Sequence, residues 1–177
     1  TTRALLKQGL AKRVLIIDLD VHQGDGTASI FKDDDRVFTF SMHCEKNFPF
    51  TKQESDLDVP LDEGFSDLDY LRTLQEHFEP LLKKFDPDLV LYDAGVDPHF
   101  ADKLGKLALS TDGLWARDRY IIDTCVKKCV PLATVIGGGY SDDRPSLAKL
   151  HAIVVLAAQD RYKKSLLPQL GKAAAAS

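Results

Sequence analysis

The apolar run Val14-Leu15-Ile16-Ile17 passes directly into Asp18-Leu19-Asp20-Val21-His22-Gln23-Gly24-Asp25-Gly26, and this junction constrains the fold more than any other segment. A short, β-branched apolar run reads as a buried strand. It ends where polar residues begin, and here the first of them are two carboxylates and an imidazole. Strand side chains alternate faces, so Asp18, Asp20 and His22 point the same way if the extended geometry persists through them. Potential metal ligands then line the C-terminal end of a strand, the edge where open α/β sheets bind ligands. A simple Asp-rich turn would use Gly24 and Gly26 but has no need of this ligand set.

Helical and strand patterns alternate along the rest of the chain. Residues 2–9 suit a short helix and 14–20 the first strand, with a helix after Gly26 through Phe31. Val37 to Met42 reads as a second strand, and 43–64, with Pro49 and Pro60, as a long irregular loop of the kind that is usually functional or disordered. Ser66 is placed to cap a helix through Phe85, with Asp69 at its third position. Leu68, Leu71, Leu74, Phe78, Leu81 and Leu82 give that helix an apolar stripe. Leu89 to Tyr92 is a third strand, Thr111 caps a helix to Cys129, Leu132 to Ile136 is a fourth strand, and a last helix runs from Pro145 to Lys163. This alternation predicts an α/β fold with a mainly parallel sheet flanked by helices. Residues 1–170 read as one globular unit and 171–177, rich in alanine, as a disordered tail.

The other strand ends then matter. The third strand runs into Asp93-Ala94-Gly95-Val96-Asp97-Pro98 and the fourth into Gly137-Gly138-Gly139-Tyr140. In a parallel sheet both lie on the same edge as Asp18, Asp20 and His22. Asp97 is thus a further carboxylate or metal ligand. The glycines let backbone approach a ligand closely, which makes Gly138 a candidate substrate-binding position. Tyr140 follows with a hydroxyl able to reach inward. Alone, a glycine run is a tight turn and the tyrosine partly buried surface; their placement at successive strand ends makes a site. Two Asp and one His suit a borderline divalent ion such as zinc, with a position open to water or substrate. Two carboxylates offset the ion's charge, so it is a milder Lewis acid than one held by three histidines and needs a hydrogen-bond donor such as Tyr140. The reaction class is metal-assisted hydrolysis through a tetrahedral oxyanion.

Composition excludes several other classes. A net charge of -4 argues against direct nucleic-acid binding. No window approaches the ~18 consecutive apolar residues of a membrane span, and residues 1–7 lack the pattern of a signal peptide. Three cysteines make no disulfide framework. Cys125 and Cys129 read as reduced, partly buried residues of one helix rather than half a metal clip, which fits an intracellular, reducing compartment.

Motif by motif, the chain resembles the zinc-dependent histone deacetylase superfamily. The resemblance rests on Asp18 to Gly26, Ala94 to Asp97, Gly137 to Tyr140, and Phe40-Ser41-Met42-His43 through Asn47-Phe48-Pro49. Val90 to Asp97 and Lys103-Leu104-Gly105 are most similar to class IV deacetylases and their bacterial and plant relatives, and the likeness spans residues 10–160. It implies a partial arginase/deacetylase fold, with zinc on Asp20, His22 and Asp97. It implies that Tyr140 donates to the acyl carbonyl and its oxyanion, and that Asp18 and Asp25 orient the family's paired histidines. It also implies a potassium site at Asp18, Asp20, His22, Ser41 and Met42, with Phe48 lining an acyl-lysine tunnel. The substrates implied are acyl-lysine proteins or small N-acyl amines.

The family's tandem histidines, its general base and acid, lie upstream of the Asp-x-Asp-x-His motif. Here no histidine precedes Asp18, and those at 43, 77, 99 and 151 are never adjacent. The expectation is therefore the C-terminal portion of a deacetylase domain, poorly active or non-catalytic by itself, with exposed apolar strand edges that favour oligomers. Val14 to Val21 also fits the first motif of haloacid-dehalogenase-type phosphatases, with Asp142-Asp143 as a later acidic motif, but that leaves His22, Asp97 and Tyr140 without a role. A two-manganese ureohydrolase wants carboxylates where Gly24 and Gly95 stand.

Overall fold

The computed structural model describes the backbone of residues 1–174 and the side chains of residues 1–164. The elements, in order, are α1 (Thr2–Lys7), β1 (Val14–Asp18), α2 (Asp25–Phe31), β2 (Val37–Cys44), β3 (Leu57–Leu61), α3 (Asp67–Phe85), β4 (Leu89–Asp93), α4 (Thr111–Lys127), β5 (Leu132–Val135) and α5 (Arg144–Ala174). The strands form one parallel sheet in the order β3-β2-β1-β4-β5, as the strand–helix alternation predicts. β1 sits at its centre, and the register sets Asp18 beside Ser41 of β2 and beside Asp93 of β4.

Period-2 alternation decides the two faces. Leu15, Ile17, Val90 and Tyr92 are buried in a core with Leu74 and Phe78 of α3 and Leu114 and Ile121 of α4. α4 packs against both α3 and α5. On the other face Ile16 and Leu91 are only half-buried, and with Ala133 and Val135 they line a groove of about 280 Å³. β5 is an edge strand with no further partner among the described residues.

Several sequence expectations are corrected. Residues 43–64 are not one irregular loop: β2 continues to Cys44 and β3 occupies Leu57–Leu61. Pro60 argued against a strand, but β3 is the sheet edge, where the missing N–H of a proline costs no ladder bond. Ser66 does sit at the N-cap of α3, yet its side chain makes no cap hydrogen bond. Asp69 pairs with Arg72 at 2.8 Å, so no capping box forms. The cap of α4 is Ser110, not Thr111; its hydroxyl accepts from Gly113 N at 3.0 Å. Asp67 holds Ser110 in place by accepting from its N and Oγ at 2.8 and 2.6 Å. Cys129 lies beyond α4, exposed and with a positive φ of 57°, whereas Cys125 is buried within the helix. α5 runs well past Lys163. The division into 1–170 and a tail at 171–177 is left as an expectation, since residues 175–177 lie outside the described residues. No described helix is long and apolar enough to cross a membrane.

Candidate metal centre

β1 ends at Asp18, and the chain then turns instead of continuing extended. The Asp18 carboxylate accepts from Asp20 N at 3.0 Å, and the Asp20 carboxylate accepts from His22 N at 2.9 Å. Such Asx hydrogen bonds compete with strand geometry and bend the backbone. The expected alignment of Asp18, Asp20 and His22 on one face therefore does not hold. The ligand atoms that converge belong to Asp20, His22 and Asp97, all within 4.8 Å of one another. Asp18 lies one layer back, between Ser41 and Asp93.

The loop after β4 brings Asp97 in with its side chain wholly buried. Its Oδ1 accepts from Val21 N at 2.8 Å. Its Oδ2 is buried without a hydrogen-bond partner, although His22 Nδ1 stands only 3.0 Å away. The same Nδ1 stands 2.9 Å from Asp20 Oδ1, and a single N–H there cannot serve both carboxylates fully. A buried carboxylate oxygen without a donor is costly unless a cation faces it. With Nδ1 and a second carboxylate beside it, the donor set fits a divalent metal such as zinc.

The loop after β5 closes the site from the side. Gly138 N donates to Asp20 Oδ2 at 2.6 Å, and Gly138 O accepts from Val96 N at 2.7 Å. A Cβ at Gly138 would collide with the carboxylates of Asp20 and Asp97. Glycine here permits close backbone approach to the two carboxylates themselves, whereas the sequence suggested approach to a bound ligand. Tyr140 follows, 42% exposed, with its ring edge-on to His22 at 5.7 Å between centroids. Asp102 fixes its backbone by accepting from Tyr140 N at 2.7 Å.

The electrostatics reflect acids crowded at one sheet edge. Burial, then the nearby charges of Asp93 and Asp20, raise Asp18 well above the usual carboxylate range. Burial and Asp20 push Asp93 up to about 6. Burial pushes Asp97 up to about 7. Burial also acts upward on Asp20, but the His22 ring, the neighbouring Asp97 and the amides of His22 and Gly138 together hold it below its ordinary value. The carboxylates of Asp20 and then Asp97 beside its ring push His22 up to about 10. Surplus negative charge is concentrated where a dication would neutralise it.

The remaining expected positions are more dispersed. Asp25 opens α2 and is half-buried. Ser41 Oγ stands 3.0 Å from His43 Nδ1, and Met42 is wholly buried in β2. Phe48 is 62% exposed and packs edge-on to Phe50, with 6.2 Å between centroids. Asp142 pairs with Lys103, and Asp143 caps Ser146, so neither faces Asp18 as a phosphatase motif requires. A cavity of about 500 Å³ lined by His99, Asp102, Thr111, Ser141 and Leu147 contains none of the three ligands.

Sequence reasoning gave Asn47 no role of its own and passed over a buried charged cluster. Asn47 stands 3.4 Å from His22 Nε2 and donates to Leu104 O at 2.7 Å. Beneath the site, Arg117 and Asp118 of α4 are buried with Tyr92. The signal for them was present: they interrupt the apolar face carried by Leu114, Ile121, Ile122 and Cys125 at helical spacing.

The histone deacetylase domain matches residues 1–157 of the chain. An uncharacterized protein of Picosynechococcus sp. is 55% identical over 161 residues, covering 91% of this chain and 54% of that protein. A probable deacetylase of Archaeoglobus fulgidus is 34% identical over 182 residues, covering 94% and 50%. The solved structure of the histone deacetylase Clr3 superposes with a TM-score of 0.74 at 26% identity, over 89% of this chain and 29% of that one. The chain thus spans about half the length of the curated relatives it matches.

Proposed function

The chain belongs to the histone deacetylase domain family, and from that premise we propose that it carries the zinc-binding, carbonyl-polarising part of a class IV-like deacylase centre. The substrate is the amide of an acyl-lysine or of a small N-acyl amine. The observation that carries this reading is the buried, donorless Asp97 Oδ2 facing His22 Nδ1 and Asp20. Zinc held by Asp20, His22 and Asp97 supplies Lewis acidity toward the acyl carbonyl. The Tyr140 hydroxyl donates to that oxygen as negative charge develops on it. Gly138 keeps the loop close to both carboxylates, and exposed Phe48 offers an apolar wall to the acyl-lysine stem. Asp18, Ser41 and Met42 provide donors for a structural potassium ion beneath the site.

Asp18 and Asp25 are assigned to orienting proton-transfer groups that this sequence does not contain, since none of its five histidines is adjacent to another. The half-buried sheet face and the unpaired β5 edge offer the surface on which a segment bearing them packs. General acid–base catalysis contributes ~10²–10⁴-fold, so the 177-residue chain alone turns over slowly or not at all. A non-catalytic fragment is the second reading, favoured by that open face.

The test starts with metal analysis. Purified chain should hold about one zinc, as a single three-ligand site requires, and Asp97→Ala should lose it. A magnesium site centred on Asp18 would instead favour phosphatase chemistry. Fusing the chain to the part of the Picosynechococcus relative outside the matched 161 residues should create zinc-dependent deacylation of acyl-lysine peptides. A folded, zinc-loaded fusion without turnover on acyl-lysine or acylpolyamine overturns the enzymatic reading.

A further inference from the structure

Arg117 is the largest of the fully buried side chains, and a guanidinium is out of place on the apolar face of α4. Its Nε donates to Asp118 Oδ1 at 2.9 Å, and the Tyr92 hydroxyl donates to the same oxygen at 2.5 Å. Its Nη2 is buried without a well-formed hydrogen bond, and the buried Tyr70 hydroxyl close to the guanidinium is unpaired as well. Burying an ion pair is a poor route to stability, because apolar side chains of similar volume commonly do as well or better. An unsatisfied Nη2 makes the exchange worse. Packing alone therefore gives no reason for arginine at this position.

Nη1 distinguishes the residue. It donates to Gly95 O at 2.8 Å and to Leu19 O at 3.2 Å. Leu19 directly precedes Asp20, and Gly95 stands two residues before Asp97. The two carbonyls belong to separate loops, one after β1 and one after β4. One cation thus tethers both ligand-bearing loops from below, while Gly138 ties Asp20 from the side.

Resting on the metal centre read above, we propose that Arg117 is a positioning residue that sets the separation of Asp20 and Asp97 before a metal arrives. Asp118, itself held by Tyr92, orients the planar guanidinium so that Nη1 meets both carbonyls. A lysine ammonium lacks the fork needed to serve Asp118 and two carbonyls at once. Loss of the clamp leaves the ligands to be drawn together by the metal itself, and that reorganisation appears as lost affinity.

The experiment compares the full chain with Arg117→Lys, Tyr92→Phe and Leu114→Ala, using Co²⁺ as the probe. It reads Co²⁺ affinity, the visible spectrum, and hydrogen exchange at the amides of Leu19, Val21 and Val96. Arg117→Lys should bind Co²⁺ about 10–100-fold more weakly, as for other residues that support metal ligands. Its visible spectrum should change, exchange at the three amides should quicken, and far-UV circular dichroism should match wild type. Leu114→Ala removes buried packing beside Arg117, so it should lower the melting temperature without changing Co²⁺ affinity. Unchanged affinity and exchange in Arg117→Lys overturn the clamp, as does an equal affinity loss in Leu114→Ala. If Arg117→Lys does not fold, Tyr92→Phe decides: freeing Asp118 should shift affinity and exchange in the same direction by less, and no shift overturns the clamp. If wild type binds no Co²⁺, the metal centre falls, and exchange in Arg117→Lys still decides the clamp by itself.

Discussion

Gly138→Ala tests the architecture of the site with a single methyl group. Both polar backbone groups of Gly138 are committed, N–H to Asp20 Oδ2 at 2.6 Å and carbonyl to Val96 N at 2.7 Å. The added Cβ would overlap the Asp97 and Asp20 carboxylates and stand 2.8 Å from Asp97 Cγ. If the loop retreats, a hydrogen bond to a charged acceptor is lost, about 1.5–3 kcal/mol. If it stays, overpacking costs about 1–3 kcal/mol. Either response therefore costs about 1–3 kcal/mol, a sizeable share of the ~5–15 kcal/mol that holds a domain together. Either response spreads the carboxylates, so zinc affinity should fall with stability. Gly26→Ala is the matched control: it lies within α2, and its Cβ meets nothing within 4 Å. There alanine should stabilise by about 0.4–1 kcal/mol through the unfolded chain. Denaturant midpoints and zinc competition against a chromophoric chelator read both variants. A Gly138→Ala protein with wild-type midpoint and zinc affinity would refute the close approach of this loop.

Other expectations follow from single contacts. In the fused, catalytically complete protein, Tyr140→Phe should lower kcat by ~10²–10³ with little change in KM, because it removes one oxyanion donor; steady-state kinetics on an acyl-lysine peptide checks this. Ser110→Ala should cost about 0.5–2 kcal/mol as a lost N-cap, whereas Ser66→Ala, whose side chain makes no cap bond, should be near neutral by denaturant titration. Burial pushes the Cys125 thiol up to about 12 and raises Cys44 as well. Raised values mean the neutral thiol prevails below them, so at pH ~8 only ~10⁻⁴ of Cys125 is the reactive thiolate. Iodoacetamide at that pH should label exposed Cys129 alone until denaturant is added, as mass spectrometry will show.

Much of this protein was legible in its sequence because the signals are local. The β1 run, the α3 stripe and the polar residues at three strand ends each lie within a few positions of one another, so periodicity and residue type suffice to find them. Residue chemistry placed on a parallel sheet brought Asp18, Asp20, His22 and Asp97 to one edge as candidate ligands, and the family resemblance picked Asp20, His22 and Asp97 from among them. Where the sequence misled, a longer-range context overrode a local rule. Pro60 lies in a strand because that strand is an edge, and Asp18 left the ligand set because its own Asx bond bends the chain after β1. The tertiary structure alone decided which atoms meet. Val21 N reaches Asp97 across 76 residues, Gly138 N reaches Asp20 across 118, and Arg117 reaches Leu19 across 98. No periodicity carries information over such separations. A donor and an acceptor that far apart in the chain come together only when the packing of whole strands and helices has set the loops between them.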